Sequence, residues 1–363
     1  MKTGKIRYAV IAAGNIAQVA VLPAFAHAKK NSELVALISG DREKREELAK
    51  RYDLELAGDY DELERVLAQA EVDAVYIATP NAQHKEYALR AAAVGVHVLC
   101  EKPLATNVAD CEEIIAACNE AGVKLMVAYR LHFEEASLEA LELVKSGKLG
   151  EAKLFESFFS HVVRPGDIRR RPETGGGALL DLGIYCINAA RNVFAAEPTQ
   201  VLATTVEKNG VDDTTTVILR FSRERLAIFT VSNSVAGVSS YRIAGPDGDL
   251  RVEPAYEYSD KLEHHLTIDD STKTTSFGKR DQFAPELEHF SACILENRRP
   301  EPDGEEGLND VRVIEAALES AKTGKAVDLA PHQDRRRPTM DLEQKKPAVG
   351  KQKTVNAPSP SVK

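Results

Sequence analysis

The chain has 363 residues, 43% of them apolar and 28% charged, with a formal net charge of −9. That is an ordinary globular composition, too long for one simple core and suited to two domains. The negative charge disfavours nucleic acid as the main partner, and no run of eighteen apolar residues offers a membrane span.

The N-terminal third alternates short apolar runs with amphipathic segments. Strands are predicted at 8–13, 34–39, 74–79, 97–100 and 124–129, separated by helical patterns at 16–28, 43–52, 61–70, 84–93 and 109–121. This β-α alternation, with Val/Ile/Leu-rich strands, predicts an α/β fold whose parallel Rossmann sheet is covered on both faces. Beyond 129 the pattern changes to helix 134–145, a β-like stretch 151–161, a triple glycine at 175–177 and helix 178–194. Alternating strands follow, including 201–207, 214–221 and 227–234, and then helices at 285–296 and 307–323. The polar/apolar alternation of Thr214-Thr215-Thr216-Val217-Ile218-Leu219-Arg220-Phe221 predicts an open, mostly antiparallel sheet with one solvated or partner-covered face. The expected domains are 1–129 (nucleotide-binding), 130–331 (an α+β substrate-binding and oligomerisation domain) and 332–363. That last stretch has eight Lys/Arg against three Asp/Glu and no aromatic residue, and reads as a disordered basic tail.

Cysteines at 100, 111, 118, 186 and 293 show no metal-ligand spacing, so no metal is expected. Their scatter suits a reducing compartment. An apolar run begins at Ile6 with no room for a signal peptide before it, so a cytoplasmic location is the expectation.

Ala12-Ala13-Gly14-Asn15-Ile16-Ala17 falls where the first strand turns into the first helix. Dinucleotide folds place a glycine-rich turn there so that the backbone can approach the pyrophosphate at the helix N-terminus. Gly14, Asn15 and Ile16 are the expected cofactor contacts, although Ala12 stands where the first glycine usually does. At the end of the second strand, NAD sites usually carry an acid for the ribose 2′-hydroxyl. Here Ser39 and Gly40 precede Arg42 and Lys44, a hydroxyl and cations that suit a 2′-phosphate. NADP is therefore favoured over NAD. Asp41 is either a late ribose-binding acid or the N-cap of the next helix.

Thr79-Pro80-Asn81 and Glu101-Lys102-Pro103 end neighbouring strands, where open α/β sheets bind ligands. Asn81 also reads as a helix N-cap, and His84 as either a cofactor-lining or a surface residue. A buried lysine costs several kcal/mol unless paired, so Lys102 asks for a chemical role such as polarising a carbonyl or stabilising an alkoxide. In the second domain Asp181 and Tyr185 lie four apart, on one helix face, with Gly183 between them to admit a close neighbour. A tyrosine beside a lysine ammonium can serve as general acid–base, with Asp181 orienting the lysine or a substrate hydroxyl. The alternative is an amphipathic core helix with Tyr185 packed inside.

Together these motifs resemble the Gfo/Idh/MocA family of NAD(P)-dependent oxidoreductases, over most of the chain to about residue 330. The resemblance implies that Lys102 is the catalytic lysine and Asp181 the family's helix aspartate, and that the sheet domain forms a homodimer or homotetramer. Most members carry histidine where this chain has Tyr185, and tyrosine there resembles the glucose-fructose oxidoreductase branch. That branch places an arginine near cofactor or substrate, which brings in Arg169 and, with it, Arg130; surface salt bridging is the other reading of both. The expected activity is NADP-dependent hydride transfer to or from a sugar (aldose, ketose or polyol). Lys102 and Tyr185 handle the oxygen and its proton, and Arg169 and Asp181 contact the substrate. A sugar–sugar oxidoreductase with non-released NADP, a non-catalytic cofactor-sensing regulator, and an RNA-binding role for the basic tail are the alternatives.

Overall fold

The computed structural model describes residues 4–330 and 337–362, which fall into two compact units. In the first unit the order is β1 (Ile6–Ile11), a π-helical turn Ala17–Val21 running into α1 (Leu22–Ala24), β2 (Ser32–Ile38), α2 (Arg42–Tyr52) and β3 (Leu56–Gly58). It continues with α3 (Leu63–Gln69), β4 (Ala74–Ile77), α4 (His84–Ala93), β5 (His97–Glu101), α5 (Val108–Glu120) and β6 (Leu125–Ala128). The six strands are parallel in the order β3-β2-β1-β4-β5-β6. That is the dinucleotide-binding order, with its switch point between β1 and β4. Tyr8, Val10, Leu37, Ile38, Val75 and Ile77 are all fully buried, as strands with both faces covered require. The short β3 carries no apolar run, and the sequence pattern does not show it.

The second unit holds α6 (Glu135–Lys145), β7 (Leu154–Ser160), a π-helical turn Leu179–Gly183, α7 (Ile184–Phe194), β8 (Gln200–Lys208), β9 (Val211–Phe221), β10 (Arg225–Ser232), β11 (Val238–Gly245), β12 (Gly248–Val252), β13 (Leu262–Ile268) and β14 (Ser271–Phe277). The chain then runs through α8 (Ala284–Leu295), α9 (Gly304–Thr323) and β15 (Val327–Asp328). Nine strands form one sheet, β14-β13-β12-β11-β7-β10-β9-β8-β15. Only the β7–β10 pair is parallel. Helix α7 and the π-turn before it pack on β7 and β10. Leu154, Leu202, Val206, Ile218 and Leu226 are exposed, and the strand register sets them on a common face.

Two of the expected boundaries differ from the structure. Residues 280–308 return to the first unit, where α8 lies on β1 and β2. The buried Tyr8 hydroxyl needs a partner at that surface and finds the Ser291 hydroxyl at 2.8 Å; Ser32 Oγ meets the same oxygen at 2.8 Å. Composition also misjudges the tail. Residues 332–336 lie outside the described residues, but 345–359 belong to the first unit and make a defined set of hydrogen bonds there. Composition registers how little the tail can bury in a core of its own, and it is blind to polar groups elsewhere that hold its backbone.

The second unit is stabilised by a buried polar web. The Arg191 guanidinium, fully buried, meets Asp310 and makes paired bonds to Glu197 at 2.6 and 2.9 Å; Arg337 also reaches Glu197, at 2.8 Å. Burial alone would raise the Glu197 carboxyl, but the two guanidiniums outweigh it and hold its pKa at about 2. Because the folded value lies below the unfolded one, the stabilisation is complete above about pH 4.5 and is lost as pH falls towards 2. At neutral pH the difference amounts to about 3 kcal/mol. Urea unfolding from pH 7 to pH 3 should show a fall in stability that is shallower in Glu197→Gln, which starts from a less stable protein at pH 7. Parallel curves would contradict this assignment.

Candidate active site

The dinucleotide loop leaves β1 at Ile11. Ala12 takes φ +77, the left-handed backbone that glycine adopts most easily, at a cost of about 1–3 kcal/mol for a residue with a Cβ. The turn that a glycine would make is thus preserved by an alanine. A Cβ built on Gly14 meets nothing within 4 Å, so the backbone there is open to approach. Gln18 N–H closes onto Gly14 O at 3.1 Å, starting the helix that Asn15 and Ile16 enter.

After β2, Ser39 is buried and its Oγ receives Asp41 N–H at 3.4 Å. Asp41 caps α2, accepting Lys44 N–H at 3.2 Å, which settles its role as the helix cap. A Cβ on Gly40 would approach the Tyr60 ring to 3.2 Å, so this turn is closely walled. Of the nearby cations, Arg45 donates to Ser39 O and pairs with Asp59 at 2.9 Å. The exposed Arg42 pairs with Glu46 at 2.7 Å. Lys44 lies on the first turn of α2.

At the end of β4, the Thr79 hydroxyl is buried with no hydrogen-bond partner. A buried polar group of this kind calls for a partner, and a bound nucleotide could supply one. Asn81 is not the helix cap. It opens the 3₁₀ turn Asn81–Gln83 after Pro80, and Gln83 holds the N-cap position of α4 without a side-chain bond. His84 is not a surface residue. Its ring is fully buried, with Nδ1 2.7 Å from Pro103 O and Nε2 3.0 Å from Thr79 O. It therefore braces the loops after β4 and β5 against each other, and burial lowers its pKa.

Lys102 is only partly buried, which softens the desolvation cost that its sequence setting suggests. Beside it, Glu101 accepts the Tyr76 hydroxyl at 2.8 Å. Burial pushes the Glu101 carboxyl above its usual range, opposed by the charge of Lys102, the Tyr76 hydrogen bond and the charge of Arg130. Arg130 is itself buried and bonded to Gln282. Glu286, on α8, is fully buried; neither carboxyl oxygen has a hydrogen-bond partner, and burial, with Glu101 nearby, raises its pKa well above the ordinary value. Sequence reasoning missed Glu286, because nothing before 280 signals that α8 returns to this unit. The open Gly14 backbone, the helix start and the orphaned Thr79 hydroxyl together fit a dinucleotide.

In the second unit the triple glycine has a clear physical cause. A Cβ on Gly176 would fall 2.6 Å from Arg169 O, and one on Gly177 (φ +130) would collide with the Asp212 carboxylate. That carboxylate instead accepts Leu179 N–H at 2.7 Å, holding the start of the π-turn. Burial raises its pKa to about 6. The π-turn Leu179–Gly183 carries Asp181, and α7 follows with Tyr185. Such i→i+5 turns recur at functional sites. Gly183 serves packing rather than a ligand, since Leu179 and Phe229 would lie 2.9 and 3.6 Å from a Cβ there.

Asp181 binds Arg169 Nε at 2.8 Å and lies 3.7 Å from His161 Nε2. Arg169 also reaches Asp167 at 3.3 Å. Tyr185 is half-buried, edge-on to Phe159 at 5.7 Å and tilted against Tyr256 at 6.0 Å between ring centroids. The structure thus brings Arg169 and Asp181 together and adds His161. The sequence signal for His161 was its place just past the end of β7.

Residues 6–129 match the model of an oxidoreductase family with an NAD-binding Rossmann fold, and residues 137–251 match the GFO/IDH/MocA C-terminal domain. A D-xylose 1-dehydrogenase [NADP(+)] from Haloarcula marismortui is 32% identical over 336 residues, spanning 89% of this chain and 93% of that protein. The solved aldose-aldose oxidoreductase from Caulobacter crescentus, complexed with glycerol, superposes with a TM-score of 0.85 at 35% identity, covering 90% of this chain and all of that one. A 3-ketoreductase from Actinomadura kijaniata, solved with NADP and TDP-benzene, gives 0.81 at 27% identity, covering 87% and 98%.

Proposed function

The chain belongs to the GFO/IDH/MocA oxidoreductase family, and from that premise we propose that it is an NADP-dependent sugar oxidoreductase acting on an aldose. The observation that carries the reading is the setting of Lys102: an ammonium beside Glu101, at the ligand-binding edge of a Rossmann sheet, on the loop after β5, whose neighbour β4 leads to the orphaned Thr79 hydroxyl. The named relatives support a sugar substrate and NADP. Bound NADP would accept or supply hydride at C4 of its nicotinamide.

The residues that would hold the cofactor are Gly14, Asn15 and Ile16 at the pyrophosphate loop and Ser39, Gly40 and Lys44 at the adenosine ribose. Thr79, Pro80 and Asn81 lie at the end of β4. Lys102 polarises the sugar oxygen, and Tyr185 takes or returns its proton. Arg169 holds the Asp181 carboxylate, which would accept from a sugar hydroxyl, while His161 adds a second polar group beside it. Holding the reacting groups in place can be worth up to about 7–11 kcal/mol.

The test is a panel of aldoses, ketoses and polyols, with reduction of NADP and of NAD followed by absorbance. The expected result is turnover with at least one aldose and a preference for NADP. No turnover with any sugar would overturn the proposal.

A further inference from the structure

We propose that the C-terminal segment 351–357 is a strap that forms the outer wall of the dinucleotide site and holds the nucleotide there through turnover. The inference rests on the cofactor reading above and deepens it. Its basis is a set of contacts that tie the tail to the two turns that a dinucleotide must occupy.

The anchor is Gln18, in the π-turn after the dinucleotide loop. Its side chain is fully buried and both ends of the amide are used. Oε1 accepts Val355 N–H at 2.7 Å, and Nε2 donates to Val355 O at 2.8 Å and to Ala13 O at 2.9 Å. A glutamine that clasps a single residue's N–H and C=O reproduces the pairing of a β-ladder with a side chain. Its third bond fixes the clasp to the dinucleotide loop itself. On either side of Val355, the strap reaches both turns. Asn15 Nδ2 donates to Ala357 O at 3.0 Å, and Asn356 Nδ2 bonds Asp41 Oδ2 at 3.1 Å and Glu43 Oε2 at 2.9 Å. Farther back, Arg51 Nη1 donates to Lys353 O at 2.6 Å, and Lys346 pairs with Glu288 at 2.7 Å and donates to His27 O at 3.2 Å. Val355 and Ala357 are buried.

Asn15 stands at the pyrophosphate turn and Asp41 at the adenosine-ribose turn, so the segment between Val355 and Ala357 connects the two ends of the adenosine half of the site. Its chemistry suits a polyanion. Lys345, Lys346, Lys351 and Lys353 place positive charge on an otherwise acidic chain. Asn356 engages Asp41 and Glu43, the carboxylates that would oppose a 2′-phosphate at the ribose turn. A nucleotide seated under the strap leaves only when these bonds open together. The strap therefore slows the exchange of reduced for oxidised cofactor between turnovers.

The probe is NADPH, loaded on the full chain and released by stopped-flow mixing with excess NADP, with nicotinamide fluorescence as the readout. The same is done for a chain ending at Gln344, for Gln18→Ala and for Val355→Pro, which loses the N–H donor while keeping the tail. Release should be slow in the full chain, faster by about tenfold or more in the shortened chain and in Gln18→Ala, which lose two or more hydrogen bonds, and faster by about fivefold in Val355→Pro, which loses one. Thermal unfolding identifies any variant that does not fold, and the point substitutions decide the matter if the shortened chain fails. Unchanged release rates in the folded variants would overturn the strap while leaving the cofactor reading intact. Tighter NADPH binding without the tail would also overturn it, showing that the tail competes with the nucleotide. A full chain that binds no NADPH would overturn the cofactor reading and the strap with it.

Discussion

Replacing Tyr185 with phenylalanine or Lys102 with methionine is expected to lower kcat for an aldose by about 10²–10⁴-fold. The phenylalanine ring retains the packing of Tyr185 on Phe159 and Tyr256, so only the hydroxyl, and with it the proton route, is removed. Thermal stability should be unchanged. Methionine at 102 keeps the aliphatic stem of the lysine but removes the cation proposed to draw charge onto the substrate oxygen. If the two groups act on one oxygen, the double variant should be little worse than the weaker single one, because groups working as a unit are not additive. Wild-type kcat in either single variant would remove that residue from the mechanism. A loss confined to KM would make it a binding group.

Asp310→Ala should destabilise the second unit by about 3–5 kcal/mol, the usual cost of leaving a buried charge without its partner. Arg191 has no exposed surface and relies on Asp310 and Glu197. Asp310 also receives the Asn188 amide at 2.9 Å, and Asn188 in turn meets His132 Nε2 at 2.8 Å. Removing this carboxylate therefore takes one of two carboxylate partners from the guanidinium and an acceptor from the Asn188 amide. Replacing Arg191 with methionine and Asp310 with leucine together removes both charges and should cost much less than Asp310→Ala alone. Denaturant unfolding would measure both. A loss below about 1 kcal/mol in Asp310→Ala would mean that water or rearrangement satisfies Arg191.

The sheet of the first unit was legible because parallel strands covered on both faces read as unbroken apolar runs, and five of its six strands show that pattern. The sixth, Leu56–Gly58, is three residues long and lacks it. The loops after β1, β2, β4 and β5 were equally visible, since each follows an apolar run and carries residues with restricted backbones or distinctive chemistry. Partners across the chain were hidden. His84 read as either a cofactor-lining or a surface residue, and neither reading showed that its two ring nitrogens face carbonyls from loops 79 and 103. Gly183 was expected to admit a close neighbour, and Leu179 and Phe229 are that neighbour, though the sequence did not say which residues they would be. Arg169 and Asp181 were each visible, whereas their pairing at 2.8 Å was not. The tail was misjudged most. Its order comes from Gln18, Asn15 and Arg51, some three hundred residues earlier, and local composition carries no trace of them.

The central claim is that this chain moves a hydride between a sugar carbon and a nicotinamide while its own side chains handle the proton. The most direct measurement uses an aldose deuterated at C1, turned over with NADP, followed by NMR of the nicotinamide product. The account predicts deuterium at C4 of the reduced nicotinamide, with none exchanged into water, and loss of that transfer in Tyr185→Phe. Reduced cofactor free of deuterium, or no reduction by any aldose, would contradict it.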